Sequence, residues 1–130
     1  MKKDVSLWLG NFSNFDEVEK YTKIMYNDDG DSIPSVFEKE FKLGYYDRSF
    51  IEKDWVPEAQ NDIKELLRDF SYDDQLIKQF KDFKLNAKYN TIILIYHYNY
   101  EKDGGAINSV DKGEYTLRFI DTAIYVEESI

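Results

Sequence analysis

The chain of 130 residues contains no cysteine. That absence excludes thiol nucleophiles, zinc–thiolate centres and disulfide staples, and it is compatible with a reducing cytosol. Histidine occurs once, at His97, so no histidine cluster exists to hold a metal. No apolar run approaches the roughly 20 residues that span a bilayer, and Met1-Lys2-Lys3-Asp4 leads into no signal-peptide core. A soluble, unexported, cytoplasmic protein is the expectation. Positive charge is also short, with 17 bases against 26 acids and a net charge of −9. Attraction to nucleic-acid phosphates or anionic membranes is thereby disfavoured, and steering toward a basic partner is favoured. The plainer alternative is acidity for solubility alone.

What the sequence does contain is a strong sheet signal. Asn90-Thr91-Ile92-Ile93-Leu94-Ile95-Tyr96-His97-Tyr98-Asn99-Tyr100 is its longest β-branched and aromatic stretch. A period of two puts Ile92, Leu94, Tyr96, Tyr98 and Tyr100 on one face and Ile93, Ile95, His97 and Asn99 on the other. Both faces begin apolar, so helices are expected to cover both, or one face to meet a partner further along. A chain of this length buries roughly two-thirds of its unfolded surface and suits a single domain over residues 1–130.

Val5-Ser6-Leu7-Trp8-Leu9 alternates as a strand that Gly10 and Asn11 break. Ser13 is placed to cap a helix with Asp16 and Glu17 in its first turn, and with Phe15, Val18, Tyr21 or Thr22, and Met25 on its inner face. Asn27 to Pro34 is an exposed acidic loop containing Asp28, Asp29 and Asp31. Ser35 with Glu38 fits a capping box, Phe37 pairs with Phe41, and Gly44 is the expected left-handed stop. Tyr45 to Lys53 reads as a second strand, ended by Glu52-Lys53-Asp54. Trp55-Val56-Pro57 then opens a third helix with Ala59, Ile63, Leu66, Leu67 and Phe70 inward. Ser71 and Asp74 cap a fourth, with Leu76, Ile77 and Phe80 inward. Glu101 to Glu114 is a long glycine-containing connection to a last strand, Tyr115 to Val126. The order β-α-α-β-α-α-β-β gives an α+β fold: a single sheet of about four strands with helices packed against it.

Local motifs supply no catalytic signature. Setting Gly30 at the sixth position of an EF-hand loop puts Met25 at the first, Asn27 at the third and Val36 at the twelfth, so the pattern fails. Gly10 alone makes no phosphate-binding turn, and Gly104-Gly105 sits between strands. Tyr96, Tyr98 and Tyr100 form either an aromatic core or a platform, and net charge disfavours base stacking. Lys78, Lys81, Lys84 and Lys88 read as the solvated face of the fourth helix. His97 is read as structural, with a small acid–base enzyme kept open should two carboxylates converge on it.

Val5-Ser6-Leu7-Trp8-Leu9-Gly10-Asn11-Phe12 followed by an acidic helix, then Ile33-Pro34-Ser35-Val36-Phe37 and Phe50-Ile51-Glu52, resembles the immunity protein 22 family over roughly Val5 to Val126. The resemblance implies an α+β immunity protein of bacterial polymorphic toxin systems that binds and neutralises a cognate toxin and has no activity of its own. Trp8 matches the family's tryptophan and is assigned to the core. The family's acidic position falls on Glu52 or on one of Asp28, Asp29 and Asp31. No cofactor or metal is implied, nor any nucleic-acid or membrane partner. Residues 16–62 hold 13 of the 26 acids and 6 of the 17 bases, a net of −7. The expected contact residues for a basic toxin, such as a nuclease, are therefore Asp16, Glu17, Asp28, Asp29, Asp31, Glu52 and Asp54. The alternative is a regulatory module with a non-toxin partner.

Overall fold

The computed structural model describes residues 1–127. They form an α+β fold around an antiparallel five-stranded sheet. In chain order the elements are β1 (Lys2–Asn11), α1 (Phe15–Thr22), a small hairpin of β2 (Met25–Tyr26) and β3 (Ser32–Ile33), and α2 (Val36–Glu40). A 3₁₀ turn (Arg48–Phe50) leads into β4 (Ile51–Gln60), then α3 (Ile63–Leu67), α4 (Asp73–Phe80), β5 (Tyr89–Tyr96), β6 (Ser109–Asp111) and β7 (Thr116–Val126). The sheet order is β4-β5-β1-β7-β6. The hairpin and β6 are additions to the expected element order, and the sheet has one strand more than expected.

β1 is the central strand, and it is buried without interruption from Val5 to Gly10. Its alternation feeds two separate cores. Val5, Leu7 and Leu9 join Ile92, Leu94 and Tyr96 beneath α3 and α4, through Ile63, Leu66, Leu67, Leu76 and Phe80. Trp8 faces the other way, among Ile93, Ile95, Val18, Tyr21, Phe37 and Phe41, beneath α1 and α2. Both sheet faces are thus covered, as two apolar faces on one strand require. Gly10 does not break β1. It pairs with Thr91 on one side and Leu117 on the other.

Two single-residue irregularities decide which core the aromatic residues enter. His97 adopts a left-handed conformation, φ 59°, and ends β5. The alternation then resets: Tyr96 enters the α3–α4 core, whereas Tyr98 and Tyr100 enter the α1–α2 core. The expected single face for these three tyrosines is therefore corrected, and all three are buried. Ser6 holds the displaced segment in place, with its Oγ donating to Tyr98 O at 2.9 Å and accepting from Tyr100 N at 3.0 Å. On β7 the pairing steps from Leu7–Asp121 to Trp8–Phe119, which leaves Ile120 as an extra residue. Such a bulge exchanges the faces of a strand. Leu117 and Phe119 accordingly lie in the α1–α2 core, and Ala123 and Tyr125 in the α3–α4 core.

Several local expectations are corrected. Asn14, not Ser13, caps α1, its Oδ1 accepting from Glu17 N at 2.9 Å. Met25 belongs to the hairpin and is exposed. Lys42, not Gly44, takes the left-handed conformation after α2. Trp55-Val56-Pro57 opens no helix and lies within β4. β4 is an edge strand whose pairing is irregular between Trp55 and Gln60, the setting in which proline costs a sheet no hydrogen bond. Asp62 caps the short α3. α4 starts at left-handed Tyr72 without a side-chain cap, so Ser71 does not cap it. α4 ends at Phe80, so the Lys81, Lys84 and Lys88 positions fall beyond it. The capping box is present in full: Glu38 N donates to Ser35 Oγ and Ser35 N to Glu38 Oε1.

Candidate functional site

The seven acidic positions occupy two regions. The first is the outer rim formed by α1 and β4. Here Phe15, Glu19, Glu52, Asp54, Asp69 and Ser71, with Lys53 and Arg68, line a groove of about 450 Å³. Asp16 and Glu17 extend from the exposed first turn of α1, where the helix dipole favours carboxylates. Glu17 lines a second groove of about 500 Å³ on the other flank of α1, with Phe12, Tyr21, Val36 and Tyr115. The second region is the β2–β3 hairpin, which carries Asp28, Asp29 and Asp31 at its exposed tip.

The carboxylates differ in how far the fold already occupies them. Glu52 is half-buried and bound within the fold. Its Oε1 accepts from Ser71 N at 3.0 Å and from the Tyr96 hydroxyl at 3.2 Å, and its Oε2 accepts from Ser71 Oγ at 2.5 Å. Burial, then the Glu52 charge, pushes the Tyr96 phenol up, so it remains a neutral donor. Glu52 thereby ties the start of α4 to β4 and β5. Asp54 caps only the neighbouring Trp55 N, at 2.8 Å, and is exposed. Glu17 pairs with Lys20 at 3.4 Å, an exposed contact on one helix worth little. Among the described residues, Asp16, Asp28, Asp29, Asp31, Glu52 and Asp54 make no ion pair. The rim's own cations are partly spent on other acids, Lys53 on Glu19 at 3.8 Å and Arg68 on Glu65.

The hairpin tip is fixed by its own backbone and by Asn27. Asn27 Oδ1 accepts from Asp29 N at 3.0 Å and Asp31 N at 2.9 Å, while Gly30 takes the positive φ that the turn demands. Just beyond β3, buried Glu38 ties α2 to the segment before β4. It accepts both prongs of Arg48, Nε and Nη2 at 2.9 Å each, and the Tyr46 hydroxyl at 2.7 Å. Burial opposes ionisation of Glu38, but the hydrogen bonds from Arg48, Tyr46 and Ser35 prevail and hold it below its ordinary value of 4.5. A carboxyl with a depressed folded pKa contributes stability that is present above that ordinary value and lost as pH falls through the folded one. Urea melts at descending pH are therefore expected to show a loss of stability below about pH 4.5 that is shallower in Glu38→Gln.

Sequence reading missed the exposed apolar residues of this region. Met25 is 50% exposed, Tyr26 66% and Ile33 39%, and none of them enters either core. Met25 fits a helical spacing with Val18 and Tyr21, which concealed it. Glu19 and Asp69 were also missed as groove acids, because only the tertiary approach of α1 to β4 and of the α3–α4 connection brings them together. His97 sits against Phe50, ring centres 4.3 Å apart, with Nε2 2.5 Å from Glu127 Oε2. That pairing ties the end of β5 to the residue after β7.

The family model described as Immunity protein 22 matches residues 5–126. The chain belongs to the immunity protein 22 family. No curated protein and no solved structure matches it. The family match runs from within β1 to the end of β7. Within this family member Trp8 is a fully buried core residue, as expected. Among the described residues no helix is long and apolar enough to cross a membrane.

Proposed function

We propose that the chain is an immunity protein that binds a cognate toxin domain in the bacterial cytoplasm and neutralises it by occupying its active-site surface. Membership of the immunity protein 22 family carries the immunity role. The acidic surface supports the finer reading. Asp16, Glu17, Asp28, Asp29, Asp31 and Asp54 are exposed, and only Glu17 among them is ion-paired among the described residues. A basic toxin, such as a nuclease with a cationic substrate groove, is the complement of such a surface. Charge complementarity raises the association rate, and aromatic and apolar contacts slow release. Glu52 serves as a fixed wall of the α1–β4 groove rather than as a free contact.

Co-expression with the toxin domain encoded beside its gene tests the reading. The expected result is rescue of growth together with co-purification of the two chains. Rescue without a complex would remove occupancy as the mechanism. Raising salt from ~50 to ~500 mM is expected to weaken the complex at least about tenfold, mainly through slower association, because exposed charges are screened. A salt-insensitive affinity would instead point to an apolar interface with the toxin.

A further inference from the structure

Resting on that reading, we propose that the β2–β3 hairpin is the docking element, a blade that enters a cationic cleft of the partner protein tip first. The observation that carries it is a two-sided apolar hairpin left out of both cores. Met25 pairs across the strands with Ile33, and Tyr26 pairs with Ser32, so the apolar side chains lie on opposite faces. A two-stranded hairpin is marginal in water, and Met25, Tyr26 and Ile33 pack against neither core. Met and Tyr are side chains that protein interfaces favour.

Charge states what kind of cleft fits. Between Met25 and Val36 the chain carries Asp28, Asp29 and Asp31 and no base. These three form no ion pair among the described residues. An apolar blade with a trianionic tip is matched by an opening that is cationic inside and apolar at its walls. The tip enters already ordered by Asn27, and the Glu38–Arg48 pair holds α2, which follows the hairpin, against the 3₁₀ turn. Little conformational freedom is then lost on binding.

The test uses the full chain and the purified toxin domain encoded beside its gene, with affinity and rates measured by surface plasmon resonance. The double variant Met25→Ser/Ile33→Ser and the single variant Tyr26→Ser are each expected to weaken binding at least about thirtyfold, chiefly by faster dissociation. The triple variant Asp28→Asn/Asp29→Asn/Asp31→Asn is expected to slow association about tenfold and to flatten its salt dependence. Ile124→Ser, at a comparably exposed apolar residue on β7, is expected to bind within about threefold of wild type. Thermal melts of all variants are expected to coincide with wild type, since no substituted side chain lies in a core. Hairpin variants that bind as tightly as wild type would overturn the blade while leaving the immunity role standing. Wild-type self-association abolished by the same variants would overturn it in favour of a second copy. A wild-type chain that fails to bind the toxin removes the immunity reading itself, and the blade with it.

Discussion

Trp8→Ala is expected to destabilise the chain by about 3–5 kcal/mol, which is a large part of the stability of a domain this size. Trp8 is fully buried on the central strand. Its ring lies 5.1 Å from Phe37 and 5.3 Å from both Tyr100 and Phe119, with Phe41 at 6.0 Å. These neighbours come from α2, the residue capping it, the segment after β5, and β7, so no one of them can collapse into the vacated space. Trp8→Phe is expected to cost far less, under about 1.5 kcal/mol. Among the described residues Trp8 Nε1 finds no hydrogen-bond partner, and phenylalanine removes that buried donor while keeping an aromatic ring. Urea unfolding separates the two, because the midpoint should move strongly for alanine and little for phenylalanine at a constant m-value.

Gly10→Ala is expected to cost about 3 kcal/mol, although alanine suits a strand better than glycine does. A Cβ on Gly10 would lie 2.2 Å from Thr116 O and 2.9 Å from Leu117 Cα. Both are backbone atoms of the adjacent strand, so no side-chain rotation relieves the overlap. β7 would have to move away from β1 at the end where β6 joins it. Amide exchange should report the site of damage, with faster exchange along β6 and the start of β7 than along β5. Uniform exchange throughout the sheet would mean that the strain spreads rather than staying at that end.

The covering of both sheet faces was legible in Ile92-Ile93-Leu94-Ile95, where two successive apolar residues on each face leave no side for solvent. The Ser35–Glu38 box was legible because both halves of the motif lie within one turn. β4 was legible only at its start, where Ile51 to Lys53 fall within the stretch read as a second strand. Pro57 suits the first turn of a helix and an edge strand alike, and only the place of β4 in the sheet decides between them. The reversals at His97 and Ile120 were hidden for a related reason. A left-handed residue and a bulge leave composition unchanged, yet each reassigns every residue after it to the opposite face.

For the candidate site, the acidity of the first half was visible and its division was not. Asp28, Asp29 and Asp31 were recognisable as an exposed turn, and the structure adds the short strands that display them. Glu52 looked equivalent to Asp54 in sequence. Its hydrogen bonds to Ser71 and Tyr96 come from residues distant in the chain and set it apart.

Titrating the purified chain into the active form of the proposed cognate toxin domain bears most directly on neutralisation by an acidic surface. The account predicts loss of toxin activity in proportion to the fraction of toxin bound, recovery of that activity when high salt dissociates the complex, and an unmodified toxin afterwards. Inactivation by substoichiometric amounts of the chain, or activity that does not return after the complex is dissociated, would contradict it.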